Sequence, residues 1–409
     1  ALSSDTKQIR AYRRGGDVIT ISGDGLKFAA RMIDDKAPAN KRLRRGAVIR
    51  VQTDAKNNWR ITQMPEVEAA FLSADPQDGS IRSLIGGFDF NRNKFNHVTQ
   101  AWRQPGSSFK PFIYSGALEK GFTPASIVQD DPISFPASVT GSRAWEPKNY
   151  DGKYEGAMRL RTALAKSKNM VSIRLLQASG VQFIQDYATR FGFDADKHPA
   201  YLTMALGAGS VTPWQMVAGY SVFANGGYRV QPYIVRDIRD ANGNVLAESK
   251  PVTAGDESLL VIDPRNAYLM DSMLRDVTLY GTAARASGTL KRRDLAGKTG
   301  TTNEHVDAWF CGYQRTVVGC SWIGFDQPKN LGKGETGGSA ALPAWIGYMA
   351  TALKDVPESV MPQPDGLVAM EITGSGKGPR KEFFYQENVP PADVESEPPP
   401  QDEESNPVD

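Results

Sequence analysis

The 409-residue chain contains only two cysteines and three histidines, and none of them is well placed for metal binding. Cys311 and Cys320 are too far apart for a C-x-x-C pair, and the histidines are scattered along the chain. This distribution disfavours a structural zinc site, a thiol redox pair and a Ser-His-Asp triad. We therefore expect no metal site.

The chain also lacks a long apolar run, an initiating methionine and a signal peptide. No stretch approaches the roughly 18 apolar residues that a membrane-spanning helix needs. We therefore expect a piece of a longer protein, whose anchoring or targeting segment lies outside this sequence. The length predicts two domains plus smaller segments.

Positive and negative charges nearly balance, with a net charge of +2, but they are unevenly distributed. Residues 390–409 hold seven acidic side chains and no Lys or Arg, whereas residues 1–60 hold fourteen Lys and Arg against six Asp. Such a positive excess is compatible with nucleic acid, anionic lipid or an anionic polymer. The region has a single tryptophan, Trp59, and stacking platforms need several exposed rings, so nucleic-acid binding is disfavoured.

Short β-type runs occupy the N-terminal region. We predict a linker strand over residues 1–14. Between residues 15 and 65 the runs DVITI, LKFAARM, AVIRV and NWRIT alternate with polar turn sequences. This pattern predicts a small all-β barrel of the oligonucleotide-fold type.

A hairpin followed by helical periodicity predicts an α/β domain, a sheet covered by helices, over residues 66–375. The strands EAAFLSAD and SIRSLIGGF form the hairpin, and TPWQMVAGYSVFAN and residues 264–279 are typical of helices. HVDAWFCGY and VVGCSWIGF predict a second hairpin, in which the cysteines face each other either as a disulfide or as free thiols. Residues 376–409 are predicted to be a disordered, acidic and proline-rich tail.

The segment RQPGSSFKPFIYSGALEKG, residues 103–121, combines a helix start with a potential nucleophile. Ser107 and Lys110 are three residues apart and project from one side of the helix. A buried lysine has a lowered pKa and can take the proton of the hydroxyl, while free N–H groups at the helix start can stabilise an oxyanion. A second S-x-x-K, from Ser4 to Lys7, lacks this context and is interpreted as chance. The apolar residues predicted to bury the helix are Phe109, Phe112, Ile113 and Leu118.

Two further motifs follow along the chain. Ser167-Lys168-Asn169 lies at a break between predicted helices, where the serine could relay a proton and the amide could orient a lysine or a substrate carbonyl. Lys298-Thr299-Gly300-Thr301 lies on a predicted strand. A cation beside two hydroxyls is a good receptor for a carboxylate, and Gly300 would let a ligand backbone lie close.

The order S-x-x-K, S-x-N, K-T-G resembles the motif set of penicillin-binding proteins and serine β-lactamases. The flanking sequences RQPGSSFKPFIY, EPKNYDGKYEG, LAKSKNM and GKTGTTN more narrowly resemble the transpeptidase half of class A penicillin-binding proteins, especially the Gram-negative 1a type. The resemblance covers residues 15–375. It implies a penicillin-binding transpeptidase fold preceded by a small oligonucleotide-fold domain.

By this resemblance Ser107 is the acylated nucleophile, Lys110 its base, Ser167 the proton shuttle and Asn169 a holder of the donor amide. Lys298, Thr299, Gly300 and Thr301 form the carboxylate site, and the N–H groups of Ser107 and Thr301 form the oxyanion hole. No cofactor is implied. Lys168 stands where many lactamases carry Asp, and its role is open. Trp145, Asn149 and Tyr150 either line the substrate groove or cover the core.

The implied function is a periplasmic D,D-transpeptidase that cross-links peptidoglycan stem peptides and is inhibited by β-lactams. The longer protein is expected to be anchored in the bacterial inner membrane, and the small β domain is a possible contact for cell-wall synthesis regulators. The alternatives are a D,D-carboxypeptidase or β-lactamase, and a penicillin-binding sensor module without catalysis. No E-x-x-L-N follows the S-x-N to position a hydrolytic water, which disfavours a lactamase.

Overall fold

The computed structural model describes residues 1–34, 36–140, 143–372 and 380–390. Internal contacts divide the chain into two compact units, Ala1–Glu66 and Val67–Asp409. Among the described residues no helix is both long enough and apolar enough to cross a membrane.

The first unit is built from short antiparallel strands and one helical segment. Strands β1 (Ser3–Ser4), β2 (Gln8–Tyr12) and β3 (Val18–Ser22) form a three-stranded sheet, and β4 (Arg50–Thr53) pairs with β5 (Trp59–Thr62). A 3₁₀ helix, Gly23–Ala29, continues into α1 (Ala30–Ile33). The small core that these elements share consists of Ile9, Ala11, Ile19, Ile21, Leu26, Ala29, Ile33 and Ile61.

Two predictions for this unit were wrong. Residues 1–14 are not a linker, because Ile9 and Ala11 alternate with exposed residues on β2 and are buried in the core of the unit. LKFAARM is helical rather than a strand. The buried residues of the helical segment that contains it, Leu26, Ala29 and Ile33, are spaced by three and four positions, the period of one helix face.

The second unit mixes strands and helices. Its strands are β6 (Glu68–Ala74), β7 (Ile81–Ile85), β8 (Ile127–Asp130), β9 (Gly156–Arg159), β10 (Asp237–Arg239), β11 (Val245–Glu248), β12 (Ala296–Thr301), β13 (Asp307–Gln314), β14 (Val317–Gly324), β15 (Leu367–Ile372) and β16 (Arg380–Tyr385). Its α-helices are α2 (His97–Gln100), α3 (Lys110–Glu119), α4 (Ala137–Thr140), α5 (Leu160–Lys166), α6 (Asn169–Ser179), α7 (Val181–Thr189), α8 (Pro213–Asn225), α9 (Pro264–Leu279), α10 (Ala284–Leu290) and α11 (Leu342–Ala352). Shorter 3₁₀ or π turns span Gly106–Phe109, Ala195–Lys197, Leu202–Leu206, Glu257–Leu259, Asn303–His305 and Gly337–Ala341.

A five-stranded antiparallel sheet, in the order β12-β13-β14-β6-β7, organises the second unit. Helix α8 packs against β6, β13 and β14, helix α9 packs against β12, and α11 packs against β13 and β14. The two predicted hairpins and the predicted sheet with its cover of helices are confirmed. In the second hairpin Cys311 and Cys320 are direct partners in register and are joined as a disulfide.

Helix α3 lies inside this unit and packs against α6, α7 and α9. Every residue from Lys110 to Leu118 is buried, so the helix is enclosed on all sides rather than along one stripe. The predicted burial of Phe109, Phe112, Ile113 and Leu118 is confirmed. The first residues of this segment are thereby fixed within the core of the unit.

The predicted disordered tail began too early. Residues 380–385 form β16, which pairs with β15, and both Glu382 and Phe384 are fully buried. The Glu382 carboxylate accepts from Arg161 Nε over 2.7 Å, which ties the hairpin to α5. Sequence reasoning missed this strand because it lies next to the acidic stretch that follows and was assigned to the tail with it. Residues 376–379 and 391–409 of the predicted tail lie outside the described residues.

Candidate active site

Ser107 lies in a short 3₁₀ turn, Gly106–Phe109, that runs directly into α3. Gly106 has a φ of 54°, in the left-handed region that glycine adopts without strain. Ser107 is half-buried, and among the described residues nothing hydrogen-bonds its hydroxyl. Lys110, one turn later, is fully buried. The prediction that S-x-x-K opens a buried helix is confirmed.

The Lys110 ammonium is surrounded by acceptors from the S-x-N segment. Its Nζ donates to Ser167 O over 2.8 Å, to Asn169 Oδ1 over 2.8 Å and to Lys168 O over 3.3 Å. Burial lowers the pKa of Lys110 well below its usual value, and the nearby Lys298 cation lowers it further, against an opposing effect of Asp130. Burial and the Lys298 cation thus favour a lysine that can exist as a neutral amine.

The S-x-N segment lies between two helices, as predicted. Ser167 ends α5 in the left-handed conformation, with φ of 59° and ψ of 37°, and Asn169 begins α6. Serine in this region is uncommon, and such backbone conformations cluster at functional sites. The turn directs the Ser167 carbonyl to Lys110 while its hydroxyl contacts a different lysine.

That second lysine is Lys298 of the K-T-G motif, which lies on strand β12 as predicted. Its Nζ donates to Ser167 Oγ over 2.8 Å and to Thr299 O over 3.1 Å. Lys298 is fully buried, and this burial lowers its pKa to about 7. Ser167 is therefore hydrogen-bonded to both lysines, to one through its carbonyl and to the other through its hydroxyl.

The hydroxyls of the K-T-G motif are partly engaged. Thr299 Oγ1 is 2.7 Å from Thr282 Oγ1, and Thr301 Oγ1 accepts from Gly337 N over 3.0 Å. A β-carbon added to Gly300 would lie 2.2 Å from Pro105 O. The glycine is thus required by the protein's own backbone, and the close approach of a ligand backbone stays a prediction.

The turn that carries Ser107 is adjacent to the end of β12. A β-carbon on Gly106 would lie 2.7 Å from Thr301 O and 3.1 Å from Thr301 N. The backbone beside Ser107 is therefore next to that of Thr301, the two residues whose N–H groups were predicted to form an oxyanion hole.

Lys168 directs its side chain into an acidic cluster. Its Nζ lies 3.2 Å from Asp130 Oδ2, 3.0 Å from Glu155 Oε1 and 3.5 Å from Asp151 Oδ2. Burial alone would lower the pKa of Lys168, but hydrogen bonds with Glu155 and Asp130 outweigh it and raise the pKa. The extra charge in this S-x-N is therefore neutralised by its own partners.

Sequence reasoning missed how the EPKNYDG segment contributes. Asn149 is buried and its Oδ1 accepts from Asn169 N over 2.8 Å, so it caps α6. Tyr150 is exposed, and its hydroxyl lies 3.4 Å from His305 Nε2. Trp145 packs on Phe135 at the core. The available signal was the asparagine itself, since Asn commonly caps helices.

Two family models match the chain. One, described as the penicillin binding protein transpeptidase domain, matches residues 69–330, and the other, described as the penicillin-binding protein OB-like domain, matches residues 1–67.

Two relatives with similar sequences have the same name. Penicillin-binding protein 1A of Neisseria lactamica is 47% identical over 375 residues, which cover 92% of this chain and 46% of the relative. Penicillin-binding protein 1A of Pseudomonas aeruginosa is 40% identical over an alignment 467 positions long, which covers 98% of this chain and 56% of the relative. The chain thus spans about half the length of the curated relatives it matches.

A solved structure is also similar. The crystal structure of penicillin-binding protein 1A from Haemophilus influenzae matches with a TM-score of 0.87 at 35% identity. The match covers 96% of this chain and 63% of that one.

Proposed function

Because the chain belongs to the penicillin-binding protein transpeptidase family, we propose that it is a serine D,D-transpeptidase that cross-links peptidoglycan stem peptides. One observation carries the proposal. The lysine of the S-x-x-K motif and the lysine of the K-T-G motif both hydrogen-bond to Ser167, so three motifs far apart in sequence form one network.

Acylation begins with the substrate carboxylate at the K-T-G motif. The terminal carboxylate of a D-Ala-D-Ala peptide binds beside Lys298, Thr299 and Thr301, because an ammonium and hydroxyl groups are good donors to a carboxylate. Asn169 holds the amide of the donor peptide. The scissile carbonyl then lies over Ser107, with its oxygen directed at the N–H groups of Ser107 and Thr301, and such donors contribute about 3 kcal/mol each.

The proton is proposed to pass from Ser107 to the leaving amine through Lys110 and Ser167. Neutral Lys110 takes the proton of the Ser107 hydroxyl as Oγ attacks the carbonyl carbon. Ser167 passes its hydroxyl proton to the leaving amine as the C–N bond breaks and D-alanine is released, and the proton taken up by Lys110 restores the Ser167 hydroxyl. An amine of a neighbouring stem peptide then attacks the acyl-enzyme, forms the cross-link and restores Ser107. β-Lactams acylate the same serine.

We further propose a periplasmic location, with the longer protein anchored in the inner membrane. The Cys311–Cys320 disulfide supports it, because disulfides persist in oxidising compartments. Regulators of cell-wall synthesis are proposed to bind the first unit, where Phe28, Met32 and Val48 line a groove and remain exposed. Photo-crosslinking from position 48 in cells tests this contact, and capture of no cell-wall regulator would remove it.

A fluorescent penicillin tests the nucleophile. We expect a labelled band that survives denaturation in the unaltered chain and in Ser4→Ala, and no band in Ser107→Ala. Incubation with a thioester donor and a D-amino acid acceptor then separates the activities. Aminolysis supports a transpeptidase, whereas hydrolysis alone would indicate a carboxypeptidase, and rapid turnover of a chromogenic cephalosporin a β-lactamase. Labelling without transfer or hydrolysis would indicate a sensor module.

A further inference from the structure

A buried carboxylate, Asp130, lies behind the S-x-N segment at the end of β8 and is fully buried. Both of its oxygens are engaged. Oδ1 accepts from Asn149 Nδ2 over 2.7 Å, while Oδ2 accepts from Glu155 N over 3.1 Å and faces Lys168 Nζ at 3.2 Å. The acyl-transfer steps described above do not use this residue.

Asp130 fixes the orientation of the Asn149 amide. An ionised carboxylate can only accept hydrogen bonds, so it must face the NH₂ group of Asn149. The amide oxygen is thereby turned toward α6, where it accepts from Asn169 N over 2.8 Å. The Asn149 NH₂ group also donates to Lys153 O over 2.8 Å, which completes its hydrogen bonds.

Asp130 also holds the residue before Asn169 by its charge. The Lys168 ammonium pairs with Asp130, and the Lys168 carbonyl is one of the three acceptors around Lys110. One carboxylate thus acts on both Lys168 and Asn169. A charge-assisted bond and an ion pair of this kind, removed from water, are stronger than exposed equivalents.

We propose that Asp130 is a positioning residue for acylation, which holds the Lys168 carbonyl and the Asn169 amide around the Lys110 amine through Lys168 and Asn149. This inference rests on the proposed acyl transfer at Ser107. Asp130 does not touch the reacting atoms. Without Asp130 neither the Lys168 carbonyl nor the Asn169 amide is held in place, and the Lys110 amine is no longer positioned for proton transfer.

The variant Asp130→Asn tests the proposal, because it keeps the shape of the side chain and removes its charge. We expect the rate constant for acylation by a fluorescent penicillin to fall by about tenfold or more. The folded fraction, measured by near-UV circular dichroism, is expected to stay unchanged. Asp130→Glu, which restores the charge on a longer side chain, is expected to recover part of the rate.

The pH profile separates positioning from a merely structural role. The charged groups that act on Lys110 are Lys298 on β12, which lowers its pKa, and Asp130, which raises it. Tyr114 and Tyr220 stay neutral because burial raises their pKa values. Acylation needs neutral Lys110, so removing the carboxylate is expected to move the acid limb of the profile to lower pH even as the maximal rate falls.

Two matched controls alter other carboxylates that pair with the Lys168 ammonium, as Asp130 does. Asp151→Asn and Glu155→Gln each remove a more exposed carboxylate from Lys168 and leave Asp130 in place. Both are expected to acylate within about twofold of the unaltered chain. An equal loss of rate in these controls would mean that the pairing of Lys168, and not Asp130, matters.

Two results with Asp130→Asn would overturn the inference. One is an acylation rate constant and a pH profile that are both unchanged. The other is a smaller labelled fraction, while the acylation rate constant and the acid limb of the pH profile stay unchanged. If Asp130→Asn does not fold, Asn149→Ala removes the link to Asn169 and keeps the ion pair, and acylation at the full rate would then refute the proposal. Failure of the proposed function is distinct, since the unaltered chain would not be labelled.

Discussion

Lys298 Nζ donates a hydrogen bond to Ser167 Oγ over 2.8 Å, although 131 positions separate the two residues. Because the hydroxyl accepts from Lys298, its own hydrogen is free to be donated elsewhere. The same serine offers its carbonyl to Lys110. The arrangement connects the proposed carboxylate receptor to the proposed general base through one residue, the proposed proton donor to the leaving amine.

We expect Lys298→Met to stabilise the fold while impairing acylation. Burial lowers the folded-state pKa of Lys298 to about 7, below the unfolded value of about 10.4. The charge therefore destabilises the folded state most fully below pH 7, and its cost fades as pH rises from 7 to 10.4. The gain in unfolding free energy is expected to be about 1–4 kcal/mol at pH 6 and to vanish near pH 11.

Thermal unfolding of this variant across pH, beside penicillin labelling, measures both effects. The control is Lys291→Met, which makes the same substitution at an exposed residue at the end of α10. A Lys298→Met variant that is less stable than the unaltered chain at pH 6 would contradict the assigned cost of the buried charge.

Replacing the proposed base by a permanent cation is expected to abolish efficient acylation. Lys110→Arg keeps the positive charge and cannot provide a neutral amine, since the guanidinium does not deprotonate in proteins. The second-order rate constant for acylation is expected to fall by about 10²–10⁴. The matched control is Lys7→Arg in the second S-x-x-K, which should react normally. Full reactivity of Lys110→Arg would assign the base elsewhere.

The C-terminal strand is expected to contribute to stability although it lies beyond the predicted domain end. Glu382 and Arg161 are both buried and paired. Glu382→Gln leaves the Arg161 charge with Asp276 as its remaining buried partner, and breaking such a pair costs about 3–5 kcal/mol. Chemical denaturation of this variant, beside Glu371→Gln on the exposed side of β15, checks the difference. Equal stability of the two variants would show that the hairpin packs without help from the ion pair.

Local chemistry made part of the site predictable. Pro264 begins α9, and the motifs around Lys110 and Lys298 lie on the helix and strand that their sequences indicated. Long-range contacts were not predictable. The buried role of Glu382 depends on Arg161, and the role of Asp130 depends on Asn149 and Lys168.

The errors have local causes. The segment LKFAARM has apolar spacing that fits both a strand and a helix, and the burial of Leu26 and Ala29 in the core is consistent with the helix. The acidic composition after residue 390 concealed the short alternation of buried Glu382 and Phe384. Composition averages over such a strand, whereas its pairing with β15 depends on individual positions.

Because β12 lies close to the turn that carries Ser107, we expect a side chain at Gly300 to displace that turn. In Gly300→Ala the new methyl group would lie 2.2 Å from Pro105 O and 2.4 Å from Ser108 Oγ, distances at which the backbone must move. Pro105 and Ser108 lie within two positions of Ser107, so a shift of about 1 Å displaces the proposed nucleophile and is expected to slow acylation by about 10²-fold. The comparison is Gly288→Ala in α10, where nothing lies within 4 Å of the added methyl and helix propensity favours alanine. Stopped-flow acylation of both variants decides the matter, and a Gly300→Ala variant as fast as Gly288→Ala would mean that β12 does not fix the position of Ser107.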